Sequence, residues 1–185
     1  MGLAASRGGG ERFRDQQLTA WDFTADDVLV RCPRCDHCAK VVVVPGTPTT
    51  EEVLWAPRRL VCGRCGYVQD VQDRVQIGPA RPGIARDPFL QHPLWLQTDF
   101  DGYVLWAYNE RHLDHLEAYL AARLRERHLT ADDQVRQLRM TMIAKLPAWL
   151  KGAKNREKIL RRIAPMRASL REPPARPDAT EQRRV

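Results

Sequence analysis

Nothing in this sequence is long and apolar enough to suggest a membrane span. No run approaches the roughly 20 residues such a helix needs, and the 43% hydrophobic and 29% charged content is that of an ordinary soluble protein. After Met1-Gly2-Leu3 there is no apolar signal core, so the expected location is the reducing cytoplasm. There is no P-loop, no G-x-G-x-x-G and no nucleophile elbow, the common signatures of nucleotide-binding and acyl-transfer enzymes. Cysteine is scarce and odd in number, five residues in 185, which argues against a disulfide framework.

Four of the five cysteines are paired in a way that carries chemistry. Cys32-Pro33-Arg34-Cys35 and Cys62-Gly63-Arg64-Cys65 are two C-x2-C knuckles separated by 26 residues. They supply the four thiolates of a tetrahedral structural metal site. The two-residue gap lets both sulfurs of a pair reach one ion while N–H groups in the turn stabilise their charge. Gly63 and Gly66 are expected to give that turn its backbone freedom. A redox C-x-x-C would open a helix in a βαβ pattern, and neither pair leads into one. Zinc is the expected metal, although iron could use the same sulfurs. Cys38 extends the first knuckle to C-x2-C-x2-C and, like His37, could replace Cys35 as a ligand. The expectation is that Cys38 packs as a small hydrophobe and that His37 is an exposed turn residue. Four thiolates close the metal shell to water, so no enzymatic role is expected for the ion.

The pattern along the chain predicts an α+β fold: an N-terminal zinc ribbon of two β-hairpins, then a β-hairpin and a small helical domain. Residues 1–20 contain Gly8-Gly9-Gly10 and read as a disordered tail. Residues 21–77 read as the ribbon, with β-branched runs at Val28-Leu29-Val30, Ala39 to Val44, Arg59-Leu60-Val61 and Tyr67-Val68 flanking the knuckles, and a polar excursion anchored by Leu54 and Trp55. Residues 78–93, with four prolines and two glycines, read as a linker. Within 94–171, Asp101-Gly102 predicts the tip of a hairpin whose Trp95, Trp106 and Tyr108 pack the sheet. Asn109 caps a helix striped by Leu113, Leu116, Leu120 and Leu124 to about Arg127, with His112 and His115 expected on its surface. A second helix is expected from Thr130 through Val135, Leu138, Met142 and Leu146. Pro147 opens a short turn at Ala148-Trp149-Leu150, and Asn155 caps a last helix that Pro165 bends or shortens. Residues 172–185 read as a disordered end.

Charge is concentrated at one end. Residues 110–185 carry eighteen basic and ten acidic side chains, a net of +8 in a chain of net charge +7. Residues 139–171 hold ten basic side chains against the single acid Glu157. Such a block suits phosphate backbones or an acidic protein partner. Lys151, Lys154, Arg156, Lys158, Arg161 and Arg162 are the expected nucleic-acid-binding face, with Trp149 able to stack on a base or to anchor its turn. No small-molecule substrate and no membrane partner is indicated.

Cys32-Pro33-Arg34-Cys35 and Cys62-Gly63-Arg64-Cys65-Gly66-Tyr67 resemble the knuckles of transcription-factor-IIB-type and RNA-polymerase-type zinc ribbons over about residues 28–72. The rest of the chain is similar to uncharacterised bacterial zinc-ribbon-containing proteins, through the stretches Trp106 to Leu113 and Lys145 to Arg156. The resemblance implies a ribbon fold and a metal site. Ribbons serve nucleic-acid binding, protein docking and scaffolding alike.

Overall fold

The structure is a computed structural model that describes residues 12–44, 56–71, 83–122, 124–126 and 141–171. The fold is α+β: mostly antiparallel sheets, a few helices and a C-terminal helix, with the cysteine cluster in the N-terminal strand region. The described chain begins with β1 (Arg12–Arg14) and α1 (Ala20–Thr24), within and just beyond the stretch expected to be a disordered tail. Two tertiary partners hold this segment. β1 pairs in parallel with β8 (Leu124–Glu126), and Phe23 of α1 is fully buried.

The ribbon is one four-stranded antiparallel sheet in chain order: β2 (Val28–Arg31), β3 (Cys38–Val43), β4 (Arg58–Val61) and β5 (Val68–Val71). The cysteine knuckles are its first and last turns, so pairing of β3 with β4 brings both to the same end of the sheet. The excursion at 45–55, with Leu54 and Trp55, lies outside the described residues.

Strand β2 joins the ribbon to the rest of the molecule. One edge pairs with β3. On the other side, the Leu29 N–H donates to the Tyr108 carbonyl (2.8 Å), the Trp95 N–H to the Leu29 carbonyl (2.9 Å), and the Arg31 N–H to the Pro93 carbonyl (2.8 Å). Both faces of β2 are buried as well. Val28 and Val30 pack with Val41, Leu60, Phe89 and Leu94 in a ribbon core, while Leu29 points into the larger helical core. A strand covered on both sides accounts for its run of three apolar residues. The part of the expected linker that is described, 83–93, is an ordered loop. The carboxylate of Asp87, fully buried, accepts from the N–H groups of Phe89, Leu90 and His92. A proline-rich composition suggests a spacer, but the buried carboxylate fixes these residues as a turn.

β6 (Leu96–Phe100) and β7 (Tyr103–Ala107) form the expected hairpin. α2 (Glu110–Ala121) is capped by Asn109, whose side chain accepts from the His112 N–H (2.9 Å). The helix stops six residues short of the expected end at Arg127, because 124–126 pair with β1 and that pairing overrides the local leucine repeat. The expected helix start at Thr130, with Val135 and Leu138, lies outside the described residues. The chain continues as α3 (Met142–Lys145), α4 (Ala148–Lys151), a 3₁₀ turn (Ala153–Asn155) and α5 (Arg156–Ala168). α5 carries Pro165 in its last turn and still runs on to Ala168. Its Ile159, Ile163 and Met166 pack onto α2 and β6 in the main core.

Candidate metal centre and basic surface

The two knuckles have the same backbone geometry. In the first, the Cys32 N–H donates to the His37 carbonyl (2.8 Å) and the Asp36 N–H to the Cys32 carbonyl (2.9 Å). In the second, the Cys62 N–H donates to the Tyr67 carbonyl (2.9 Å) and the Gly66 N–H to the Cys62 carbonyl (3.0 Å). Each turn closes through a left-handed residue, Asp36 at φ 58° and Gly66 at φ 68°. Gly63, expected to be needed for its freedom, has no positive φ and stands where the first knuckle has Pro33.

The sulfurs of Cys32, Cys35, Cys62 and Cys65 all lie within 4.8 Å of one another. Sγ of Cys32 is 3.7 Å from that of Cys65, and Sγ of Cys35 is 3.6 Å from that of Cys62. A tetrahedron with zinc–sulfur arms of about 2.3 Å has edges of about 3.8 Å, whereas a disulfide would bring two sulfurs to about 2.05 Å. The spacing is that of a metal tetrad, and all five cysteines are free thiols. Burial raises the Cys62 thiol, but the N–H groups of Cys65 and Arg64, with the neighbouring thiols, outweigh it and bring the group down to about 7. For Cys35 the His37 N–H works downward, yet burial and three sulfur neighbours push it up to about 12. Burial also raises Cys32, against the N–H groups of Arg34 and Cys35. Cys62 is thus the thiol whose surroundings favour the thiolate, while Cys32 and Cys35 are held toward the protonated form, and a cation that takes the place of the protons relieves that competition.

His37 is buried, not exposed as expected. Its Nδ1 donates to the Cys35 carbonyl (2.8 Å), which draws the ring in beneath the knuckle. Cys38 lies outside the tetrad, half-buried against the main core. Burial pushes its thiol up to about 11, which keeps it protonated and suits a packing role. His112 and His115, expected on the surface, are both buried. The His112 ring stacks on Phe23 (4.5 Å, 18°) and its Nδ1 accepts from the Tyr108 N–H (3.2 Å), while His115 lies against Phe13 and Phe23. The N-terminal segment that covers this face of α2 has no periodic signal, so the burial is not legible from the helix alone.

The expected basic face is divided. Lys154, Lys158, Arg161 and Arg162 are exposed, and none of them forms an ion pair among the described residues. Lys158, Arg161 and Arg162 share the solvent arc of α5 opposite Ile159, Ile163 and Met166. Lys151 instead donates to the Ala144 carbonyl (2.8 Å) and is half-buried, as is Arg156. Arg167, on the same helix, is occupied by Glu110, Asp114 and Glu117. Asn155 does not cap α5 with its side chain. The 3₁₀ turn runs straight into the helix, and Asn155 Nδ2 donates to the Trp149 carbonyl (2.8 Å). Two further exposed cations, Arg34 and Arg64, stand at matching knuckle positions outside the expected face. The repeated C-x-R-C is the sequence signal for them.

Comparison of the chain with protein-family models, with curated proteins and with solved structures finds no match.

Proposed function

We propose that the chain is a structural zinc-ribbon protein that binds nucleic acid through the exposed cations of its C-terminal helical segment. Cys32, Cys35, Cys62 and Cys65 would hold one zinc ion. A closed four-thiolate shell gives the metal a folding role and leaves it no open position for hydrolysis. The metal half of the reading rests on the four converging sulfurs. The observation that carries the other half is the set of four cations, Lys154, Lys158, Arg161 and Arg162, left exposed on a segment whose opposite side is anchored in the core. Ion-paired surface charge serves solubility. Cations without a paired acid on a rigid helix raise the local concentration of an anion and release counterions when a phosphate backbone binds.

Elemental analysis of natively purified protein should find one zinc per chain, and Cys62→Ser should lose it while Cys38→Ser keeps it. Reversal of Lys154, Lys158, Arg161 and Arg162 to glutamate should abolish binding to oligonucleotides at about 0.1 M salt, where the screening length is still roughly 10 Å, with zinc content unchanged. Wild-type protein that binds neither single-stranded nor double-stranded DNA or RNA at that salt would remove the nucleic-acid reading. An acidic protein partner for the same surface then takes its place.

A further inference from the structure

The β6–β7 hairpin turns on Asp101 and Gly102, both with positive φ (50° and 82°), so Phe100 and Tyr103 pair directly across the tip and share a face. Trp149 of α4 lies nearly flat against both. Its ring is 5.3 Å and 19° from Phe100, and 5.2 Å and 17° from Tyr103. Burial divides the set, since Phe100 is 3% exposed and Tyr103 is 53% exposed. Phe100 and Trp149 account for the packing of α4 onto the hairpin. Tyr103 is held parallel to the indole with half of its surface in water, and its hydroxyl has no hydrogen-bond partner among the described residues.

We propose that Tyr103, backed by Trp149, is a stacking platform for an unpaired nucleobase, which makes the ligand single-stranded nucleic acid. This rests on the nucleic-acid reading above and narrows it. The platform is tied to the basic segment through the Asn155 Nδ2 bond to the Trp149 carbonyl; the exposed Lys154 directly precedes Asn155 in the 3₁₀ turn, and Lys158 lies in the first turn of α5. Lys145 of α3, also exposed, is separated from α4 by two residues. Of the acids at the hairpin, Asp99 falls on the opposite strand face by alternation. That leaves Asp101 at the turn as the one repulsive neighbour on the hairpin. A base on Tyr103 with its phosphates running toward α5 uses both features at once. Duplex cannot, because its bases already stack on one another inside the helix.

The test compares full-length, zinc-loaded protein on three ligands: a single-stranded oligonucleotide, an abasic strand of equal length, and the corresponding duplex. Tyr103→Ala should weaken single-strand binding roughly ten-fold, the scale of one lost base stack, and bring it to the level of the abasic strand. Tyr103→Phe should stay within about two-fold of wild type, since the ring is what stacks. Zinc content and the far-ultraviolet circular dichroism of both variants should match wild type, Tyr103 being exposed. Equal wild-type affinity for base-bearing and abasic strands, or Tyr103→Ala binding like wild type, overturns the platform while the polyanion reading stands. Equal loss on strand and duplex in Tyr103→Ala overturns it too. Absence of binding to all three ligands overturns the polyanion reading itself, and the platform with it.

Discussion

A left-handed backbone at one residue closes each knuckle, and the two sites solve the problem differently. Gly66 (φ 68°) has no Cβ to strain, whereas Asp36 (φ 58°) accepts the conformation and also places a carboxylate 3.2 Å from Arg31. A Cβ built on Gly66 or on Gly63 would touch no atom within 4 Å, so space does not distinguish the two positions and backbone conformation does. Gly66→Ala should therefore cost about 1 kcal/mol, and Gly63→Ala should cost less. Asp36→Gly should leave stability unchanged or raise it by up to about 1 kcal/mol, because it removes the same left-handed Cβ strain and the exposed ion pair it gives up contributes little. Urea denaturation of the metal-loaded variants checks this ranking. A larger loss for Gly63→Ala than for Gly66→Ala would contradict it. The C-x-R-C repeat makes the candidate ligands legible from spacing alone, but which glycine bears the turn depends on φ, and the sequence pattern does not report φ.

At the level of the element, α2 shows how far periodicity reaches. Its leucines at 113, 116 and 120 mark the apolar stripe, and Asn109 caps it as a local rule requires. The second buried side, with His112 and His115, exists because β1 and α1 lie across it: Phe23 on His112, Phe13 on His115, and the Asn109 amide on the Phe23 carbonyl (2.7 Å). Burial pushes His112 from 6.5 down to about 3 and lowers His115 as well, against the opposing effect of the Asp15 carboxylate on His115. The fold thus holds both rings neutral, while the unfolded chain takes up protons below about pH 6.5. Their contribution is complete above that pH and is lost as the pH falls, until His112 itself titrates at about 3. For one histidine the limiting slope is about 1.4 kcal/mol per pH unit. Unfolding free energies between about pH 7 and 4 should fall more steeply for wild type than for His112→Gln, which cannot titrate, compared in protein whose metal content is verified at each pH. Parallel curves would show that His112 is not the group responsible.

Across the whole molecule, β2 decides how the parts communicate. Proline and glycine at 78–93 suggest a spacer between the ribbon and the helices, and a spacer would let chelation melt residues 28–72 alone. The observed seam points elsewhere: Leu29 belongs to the helical core, Leu94 and Phe89 belong to the ribbon core, and three backbone hydrogen bonds cross between β2 and residues 93–108. Because site formation and folding are coupled in small metal modules, stripping the metal should loosen β2 and withdraw Leu29 from the helices. Chelator should therefore lower the midpoint of the helical circular-dichroism transition by several degrees. A helical transition unchanged by chelator would restore the independent-module view.

The sequence by itself determined what depends on near neighbours. Two C-x2-C spacings named the four sulfurs, Asp101-Gly102 named a hairpin, a three-and-four leucine rhythm named α2, and a run of lysines and arginines named the charged segment. Each of these signals is set within a few residues, where steric rules and helical or strand periods act. Only the tertiary structure decided which residues those elements cover. It buried His37, His112 and His115, turned 124–126 into a partner for β1, tied Lys151 into a helix end, and left Tyr103 in water beside Trp149. Such outcomes depend on which distant surface arrives to exclude solvent. That is a sum over the whole packed chain, and no window of sequence contains it.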